Sequence, residues 1–229
     1  MKRIFAYVGV GKRNRSLTVK YIDEIVKHID EEVRLDLYTA EDIDIINCCG
    51  CLNCFLKGAC LLDRKDCFEG IKSEIMESDL IILGSPVYFH NVSGYTKTFI
   101  DRLTYWSHLM KLRNKRGIVI ATADNSGTKL VVDYLAKFLE QLGCVVVERE
   151  ELILLTDDFE KKIEEGCVKL QQAFHKSDLY SANIEKNFRY LQMLMRERDK
   201  YGDTGAEVMY WKVHGLLNAK SYKESCIEG

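Results

Sequence analysis

Proline is almost absent from this chain, whose 229 residues contain only Pro86. Long apolar runs are absent too, because no stretch of 18 apolar residues occurs, and the sequence therefore predicts no membrane-spanning helix. Neither sign of charge is in excess, since 33 Lys and Arg residues stand against 35 Asp and Glu, a net charge of -2. Proteins that bind nucleic acids or membrane surfaces use a basic face, so we expect neither kind of partner.

The N-terminus does not resemble a secretory signal. It reads MKRIFAYVGVG, basic and then apolar, but the apolar stretch breaks at Gly9. We interpret it as a buried first strand rather than a signal peptide. We therefore expect a cytoplasmic protein in a reducing compartment, where disulfides are rare. Closely spaced cysteines in such a compartment indicate metal ligation or redox chemistry, and this chain has nine cysteines.

Strand-like and helix-like patterns alternate five times over about 155 residues. Such alternation predicts an α/β fold with a doubly wound five-stranded parallel sheet. We assign residues 1–156 to this domain and residues 157–229 to a helical C-terminal extension. The predicted strands are 3–9, 33–38, 80–84, 117–122 and 144–150.

Several helices have recognisable ends. Asp66 and Glu69 are spaced as a capping box that would open one helix. A helix is predicted over residues 94–110, and another over 128–142 that stops before a glycine.

Three loops follow predicted strands at their carboxyl ends, where doubly wound sheets bind ligands. Loop 10–18 places basic and hydroxyl side chains at a helix N-terminus, which predicts a phosphate site. It lacks GxxxxGK[ST] and GxGxxG, so a nucleotide triphosphatase or a dinucleotide site is disfavoured. Loop 85–94 contains Pro86, which fixes the backbone so that the following amides can face a planar ligand. Loop 123–127 is small and polar and lets the backbone approach a flat ring.

Five cysteines fall within thirteen residues, in the segment CCGCLNCFLKGAC. Thiolates at this spacing can converge on one ion or cluster. The spacing CxxCxxCxxxxxC is longer than the ferredoxin run and lacks its proline. Three interpretations stay open: an iron–sulfur cluster, a four-thiolate zinc site or free redox thiols. The candidate ligands are Cys48, Cys51, Cys54 and Cys60, and Cys49 is left out because its neighbour Cys48 would point elsewhere.

Two motifs resemble a known family. The stretch SPVYFHNVSGYTKTFIDR is similar to the hallmark SPxYxxxxSGxxKxFxDR of the flavodoxin-like NAD(P)H-dependent FMN reductase superfamily. The cysteine segment resembles that of the iron–sulfur flavoprotein branch. The resemblance covers roughly residues 1–155. The first loop departs from the family, because Gly9-Val10-Gly11-Lys12 stands where a GSPR-type start is usual.

The resemblance implies a flavodoxin-like fold, FMN as cofactor, a 4Fe–4S cluster on the four cysteines and NAD(P)H as a possible electron donor. Three sets of residues would bind FMN. The phosphate set is Lys12, Arg13, Asn14, Arg15, Ser16, Leu17 and Thr18, and the isoalloxazine sets are Ser85, Pro86, Val87, Tyr88, Phe89 and Asn91 from one loop with Thr122, Ala123, Asp124 and Gly127 from the other.

The implied function is an FMN-dependent oxidoreductase that passes electrons between a donor such as NAD(P)H or ferredoxin and a small acceptor. A cluster-free NAD(P)H-dependent FMN or quinone reductase and a non-catalytic flavodoxin-like electron carrier remain alternatives. Donor and acceptor could be small molecules or proteins.

Two further expectations concern packing. The resemblance implies a homodimer or tetramer, and the extension offers more apolar side chains than one sheet face needs, which favours the same interpretation. These side chains are Phe188, Leu191, Met195 and Trp211. Asp101 and Arg102 are expected to form a structural ion pair.

Overall fold

A parallel sheet forms the centre of the fold in the computed structural model, which describes residues 1–176 and 179–226. The parallel strands lie in the flavodoxin-like order β2–β1–β3–β5–β6, and β4 pairs antiparallel with β3. The predicted α/β fold with five parallel strands is therefore confirmed. The strands are β1 (Lys2–Val8), β2 (Val33–Thr39), β3 (Leu80–Tyr88), β4 (Asn91–Val92), β5 (Arg116–Ala123) and β6 (Val145–Ile153).

Helices cover both faces of this sheet and continue beyond it. A short 3-10 turn, Arg13–Arg15, precedes the first helix. The helices are α1 (Leu17–Lys27), α2 (Asn53–Lys57), α3 (Phe68–Glu77), α4 (Gly94–Leu103), α5 (Trp106–Leu109), α6 (Thr128–Gln141), α7 (Phe159–His175), α8 (Ala182–Lys200), α9 (Ala206–Val213) and α10 (Tyr222–Ser225).

Strand β1, which lies between β2 and β3, is buried on both faces, as its continuous apolar sequence requires. Phe5 and Tyr7 point into a core shared with α3, α4 and α6. Ile4, Ala6 and Val8 point to the opposite core, beneath α1 and α7. Packing on both faces holds the strand in place, so the first loop starts from a fixed position at its carboxyl end.

Helix α7 packs directly on α1. Gly166 makes this close approach possible, because a Cβ there would lie 2.2 Å from the Tyr21 hydroxyl oxygen. The later helices form a third core, in which Trp211 stacks on Phe188 with ring centroids 5.5 Å apart. Within the described part of the chain, no helix is long and apolar enough to cross a membrane.

This third core removes one argument for an oligomer. Phe188, Leu191, Met195 and Trp211 are each at most 5% exposed, and they pack against their own chain. They therefore do not form a subunit interface. The homo-oligomer stays a prediction that rests on the family resemblance.

Three local expectations are wrong. The stretch expected as loop 85–94 begins as strand, because β3 continues to Tyr88 and forms a hairpin with β4. The helix expected over 94–110 ends at Leu103, and α5 follows after a turn. The Asp66 capping box does not form, because α3 starts after Cys67 and the Asp66 carboxylate binds mainly elsewhere. By contrast, α6 ends as expected, with Gly143 at a φ of +91°.

Candidate functional site

The three loops predicted to bind a ligand meet at the carboxyl edge of the sheet, and each is tied to the other two. The Ser93 hydroxyl donates to the Gly9 carbonyl, which joins the first loop to the second. The hydroxyls of Thr18 and Thr122 lie 2.9 Å apart, which joins the first loop to the third. The second and third loops contact at Gly127. The sequence-predicted loops therefore form one site.

The first loop forms a helix N-terminus suited to a phosphate. Ser16 caps α1 by accepting a hydrogen bond from the Val19 amide at 3.2 Å. The first-turn amides of Leu17 and Thr18 have no partner within the helix, as at any helix start. They point at the space before the helix, where the dipole favours an anion.

In the described part of the chain, two basic side chains of this loop, Lys12 and Arg13, are paired with carboxylates, and Arg15 is not. The Lys12 ammonium lies 3.2 Å from the Glu41 carboxylate, which also accepts from the Arg13 amide at 3.0 Å. The Arg13 guanidinium binds Asp42 at 3.3 Å. Arg15 is exposed and makes no ion pair with any described residue. Arg15 is therefore the cation of this loop that no carboxylate of a described residue already neutralises, and Glu41 is a partner that sequence reasoning missed.

The hydroxyl predicted at position 18 has a structural role. Thr18 is 1% exposed, and its hydroxyl bonds Thr122 beneath the loop surface. It supports the first and third loops from below, so its contribution to a bound ligand is made through its backbone amide and this contact.

The second loop is a tight hairpin with an exposed tip. Ser85 fixes its base by donating to the Pro86 carbonyl at 2.8 Å and accepting from the Ser93 amide at 3.0 Å. Phe89 and His90 at the tip have φ values of +51° and +60°, a conformation that side chains other than glycine rarely adopt. The turn presents Phe89 with 99% of its surface exposed. Such strain concentrates at ligand sites.

Gly127 lets the third loop touch this hairpin. Its φ is +91°, and a Cβ there would lie 2.8 Å from the His90 ring and 2.9 Å from Val87. Only glycine satisfies both constraints without strain. The neighbouring Asp124 is exposed at the same edge. The remaining predicted residues of the two loops, Tyr88, Asn91 and Ala123, lie along this edge at least partly accessible.

The cysteine segment, residues 48–60, follows β2 along the chain and precedes α3. Gly50, Leu52 and Gly58 have positive φ values, so the chain turns sharply three times. The Asn47 side chain before the segment accepts from the Thr98 hydroxyl of α4 at 2.8 Å. The segment is thus a coiled loop fastened to the helix that follows the hairpin.

The thiols of this segment fall into two groups. Burial raises the pKa of Cys54, and the nearby Cys60 and Cys48 raise it further. The Asn53 amide hydrogen-bonds to Cys51 and lowers the pKa of that thiol, with a smaller contribution from the Cys49 thiol. Cys54 therefore lies within electrostatic range of Cys48 and Cys60, whereas Cys51 is paired with the excluded Cys49.

The donor set fits an iron–sulfur cluster by its chemistry, since residues 48–60 contain cysteine but no His, Asp or Glu. As the side chains stand, however, no three His, Cys, Asp or Glu groups within residues 1–176 and 179–226 form a set that could hold a metal ion. Ligation by the four cysteines therefore stays a prediction.

A buried charge network lies beneath the segment. The Arg102 guanidinium donates to Asp63 at 2.7 Å, to both oxygens of Asp66 and to the Ile46 carbonyl at 2.8 Å. Lys72 completes the network by donating to Asp63 at 2.6 Å. Two positive and two negative charges balance, as buried ions require. The network fixes the chain both before and after the cysteines.

The network corrects one expectation and reveals residues that sequence reasoning missed. Asp101 pairs with Lys97 at the surface, and Arg102 does not pair with it. Arg102 lies three positions after Phe99 on the buried face of α4, a spacing that could have predicted its burial. No sequence motif at Asp63 or Asp66 indicated that these carboxylates pair with Arg102.

Helix α4 connects the three predicted ligand-binding loops to the cysteine segment. Ser93 at its start binds the first loop, Thr98 binds Asn47, and Arg102 in its last turn binds Ile46. At a rise of about 1.5 Å per residue, the first and last of these contacts are about 14 Å apart along the helix. One rigid element therefore positions both candidate sites.

Comparisons with known proteins agree with this architecture. A family model described as NADPH-dependent FMN reductase matches residues 3–157. The chain is 37% identical over 181 residues to an iron–sulfur flavoprotein of Archaeoglobus fulgidus, covering 74% of this chain and 79% of that protein. It is 27% identical over 190 residues to an iron–sulfur flavoprotein of Clostridioides difficile, covering 80% and 81%.

A solved structure extends the likeness in fold to the C-terminal part. RosB, crystallised with 8-demethyl-8-formylriboflavin-5′-phosphate, superposes with a TM-score of 0.63 and covers 89% of each chain at 15% identity. At that identity the likeness concerns the fold alone.

We expect Gly127→Ala to weaken FMN binding by at least about tenfold, or about 1.4 kcal/mol, because the added methyl displaces the His90 side of the hairpin. Gly202→Ala is the matched control, since Gly202 has a φ of +77° with nothing within 4 Å. Both changes should cost about 1–2 kcal/mol of folding stability through backbone strain. Flavin fluorescence quenching measures the affinity, and unaltered quenching by the Gly127 variant would refute this role.

Acid should weaken the fold through Asp66. Burial acts to raise the pKa of Asp66, but hydrogen bonds from Arg102 and from the Ile46 and Phe68 amides outweigh it, so the pKa is lowered. This stabilisation is present above the unfolded-state pKa of about 4 and is lost as the pH falls through the lower folded-state value. Urea unfolding between neutral pH and strong acid measures it.

In that series Asp66→Asn should be less stable near neutral pH and lose less stability in acid than the wild type. Asp101→Asn is the control, because its pair with Lys97 lies at the surface. It should keep the wild-type dependence. An Asp66→Asn variant with the full wild-type loss in acid would contradict the buried network.

Proposed function

The chain belongs to the NADPH-dependent FMN reductase family, and we propose that within this family of FMN-dependent oxidoreductases it is an iron–sulfur flavoprotein. It would bind FMN on the three joined loops and a 4Fe–4S cluster on Cys48, Cys51, Cys54 and Cys60. Electrons would pass between a donor such as NAD(P)H or ferredoxin and a small acceptor.

The observation that carries this proposal is the sharing of α4 by both sites. A loop site alone would support any flavin reductase, and a cysteine loop alone would support a zinc site. Here the helix that follows the hairpin also holds the cysteine segment through Thr98 and Arg102. An arrangement that fixes two redox groups relative to each other is suited to electron transfer between them.

The protein's own contribution is binding and electrostatics. The amides of Leu17 and Thr18 with the Arg15 guanidinium would bind the FMN phosphate. The hairpin amides after Pro86 and the third loop around Gly127 would hold the isoalloxazine edge. When bound, FMN accepts a hydride and releases electrons singly, and a cluster carries single electrons. Such electron transfer would require no pair of acid and base side chains among the described residues.

The cysteines would supply four thiolates from one short, turning loop. Cys54 already lies within electrostatic range of Cys48 and Cys60. Cys51 would have to exchange its contact with Cys49 for the cluster. Cys60 also lies within electrostatic range of the Arg102 guanidinium, which ties this end of the loop to the buried network.

Partners and assembly belong to the same proposal. The donor and acceptor are small molecules or proteins, with no nucleic acid and no membrane among them, and the compartment is cytoplasmic. A homodimer or tetramer would bring exposed apolar side chains of the hairpin and cysteine segment against a second copy. These side chains are Leu52, Leu56, Leu61, Tyr88 and Phe89.

The second candidate function is a cluster-free NAD(P)H-dependent FMN or quinone reductase. The observation that favours it is the present arrangement of thiols in the described residues, which does not form a metal-binding set. In this case the cysteines would be free or redox-active thiols beside the flavin.

Anaerobic reconstitution with FMN, iron and sulfide tests the choice. We expect about one FMN per chain and an iron- and sulfide-dependent broad visible absorbance. Changing Cys48, Cys51, Cys54 or Cys60 to alanine should abolish that absorbance and most of the iron, because each thiolate is a ligand, while FMN content stays unchanged. Iron and sulfide assays with flavin release by acid measure the three components.

Cys49→Ala is the matched control, since Cys49 is exposed beside two ligands and should leave iron intact. Wild-type protein that takes up FMN but yields no cluster absorbance would favour the cluster-free reductase. Iron that survives the loss of Cys51 and Cys54 together would exclude ligation by this set.

A further inference from the structure

The C-terminal helices contact the cysteine segment. Helix α9 lies against α2, the short helix that carries Cys54, and a Cβ at Gly58 would touch Ala206 at 3.3 Å. The family model ends at residue 157, so this contact is made by a part of the chain outside it. The flavin loops lie at the opposite end of α4.

Glu207 is the buried charge at this contact. It is 6% exposed, and its carboxylate accepts from His108 Nδ1 at 2.6 Å and from the Arg198 guanidinium. Burial acts to raise the pKa of Glu207, but these two donors outweigh it and hold the pKa below its usual range. Arg198 in turn bonds Asp203 at 2.7 Å, which fixes the turn between α8 and α9.

His108 transmits this contact to the cysteine segment. Its ring packs on Phe55 with centroids 4.9 Å apart and planes at 57°. Its backbone carbonyl accepts from the Trp211 indole at 2.8 Å, so the residue is held from α9 on two sides. Phe55 follows Cys54 directly on α2. The chain of contacts therefore runs from Arg198 through Glu207, His108 and Phe55 to the residue beside Cys54.

We propose that Glu207 is a positioning residue for the cysteine segment, and that α8 and α9 serve to hold α2 in the conformation that presents Cys54. The inference rests on the proposed function, because a fixed thiol matters most where a cluster must be assembled. Glu207 touches no cofactor and acts through His108 and Phe55.

The alternative is a purely structural ion pair that stabilises the extension. It predicts that the effect of losing Glu207 is confined to α8, α9 and the overall stability. Our proposal predicts a local effect on α2, and removal of the Phe55 side chain should produce the same effect. The variants Glu207→Ala and Phe55→Ala and the double variant separate these alternatives, because the effects of residues in one chain of contacts are not additive.

The first experiment is amide hydrogen exchange in the iron-free, full-length chain. In Glu207→Ala, amides of residues 53–58 should exchange at least about tenfold faster, the change expected for one lost charge-assisted contact. Phe55→Ala removes the ring on which His108 packs and should accelerate exchange of the same amides. The double variant should exchange no faster than the faster single. Phe55→Tyr keeps the ring and should restore slow exchange. Asp199→Asn breaks the surface pair of Asp199 and Lys212 between the same helices, and it should leave residues 53–58 unchanged.

The second experiment is anaerobic reconstitution of the same variants. Glu207→Ala and Phe55→Ala should bind less iron per chain and give an altered electron paramagnetic resonance signal after reduction. Their FMN content should equal that of the wild type. Phe55→Tyr and Asp199→Asn should match the wild type in all three measures.

The outcomes are distinct. Wild-type exchange at residues 53–58 in Glu207→Ala overturns the inference, whatever the iron content. If Glu207→Ala does not fold, Phe55→Ala decides, and wild-type exchange in that variant overturns the inference. A wild-type chain that binds no iron refutes the proposed cluster, whereas the exchange results still decide the positioning role.

Discussion

Arg102 carries a full positive charge into the interior of the protein, and the way this charge is neutralised fixes where the cysteine segment lies. Its guanidinium is buried and rests on the Phe68 ring with 5.0 Å between the guanidinium carbon and the ring centroid. An unpaired ion there would cost several kcal/mol, so two carboxylates must reach it. Asp63 and Asp66 are both supplied by the chain directly after the cysteines.

This constraint explains how a short, largely exposed segment is held in place. The segment has little apolar core of its own, and several of its side chains are exposed. Arg102 holds its two ends from inside, through Ile46 on one side and the aspartates on the other. From outside, α9 lies against the segment at Gly58, and His108, which α9 binds, packs on Phe55. Burial of charge and packing thus replace the core that so short a segment cannot build.

The same constraint links the two cofactor sites. Arg102 belongs to the helix whose first turn fastens the flavin hairpin to the first loop through Ser93. Any shift of α4 that moved the hairpin would also strain the buried charges. A single helix therefore relates the two proposed sites, and the family hallmark that ends in Asp101-Arg102 acquires a physical meaning.

The sheet, its five parallel strands and the three loops could be predicted from sequence, because buried strands and helix starts leave local, periodic patterns. The buried charge network could not. Its partners lie 36 and 39 positions from Arg102, and pairing at that separation depends on the completed fold. The hairpin was missed for a local reason, since Phe89 and His90 occupy a turn that sequence rules reserve for asparagine and glycine. The apolar residues of the extension predicted a subunit interface, but α8, α9 and α10 bury them in a core of their own.

Anaerobic reduction by NADPH tests the proposed electron transfer between FMN and the cluster. The reconstituted chain would be mixed with NADPH and followed by flavin absorbance and electron paramagnetic resonance. We expect the flavin to bleach and the signal of a reduced cluster to appear with it. Flavin bleaching without a cluster signal, in a sample whose cluster dithionite does reduce, would contradict this proposal.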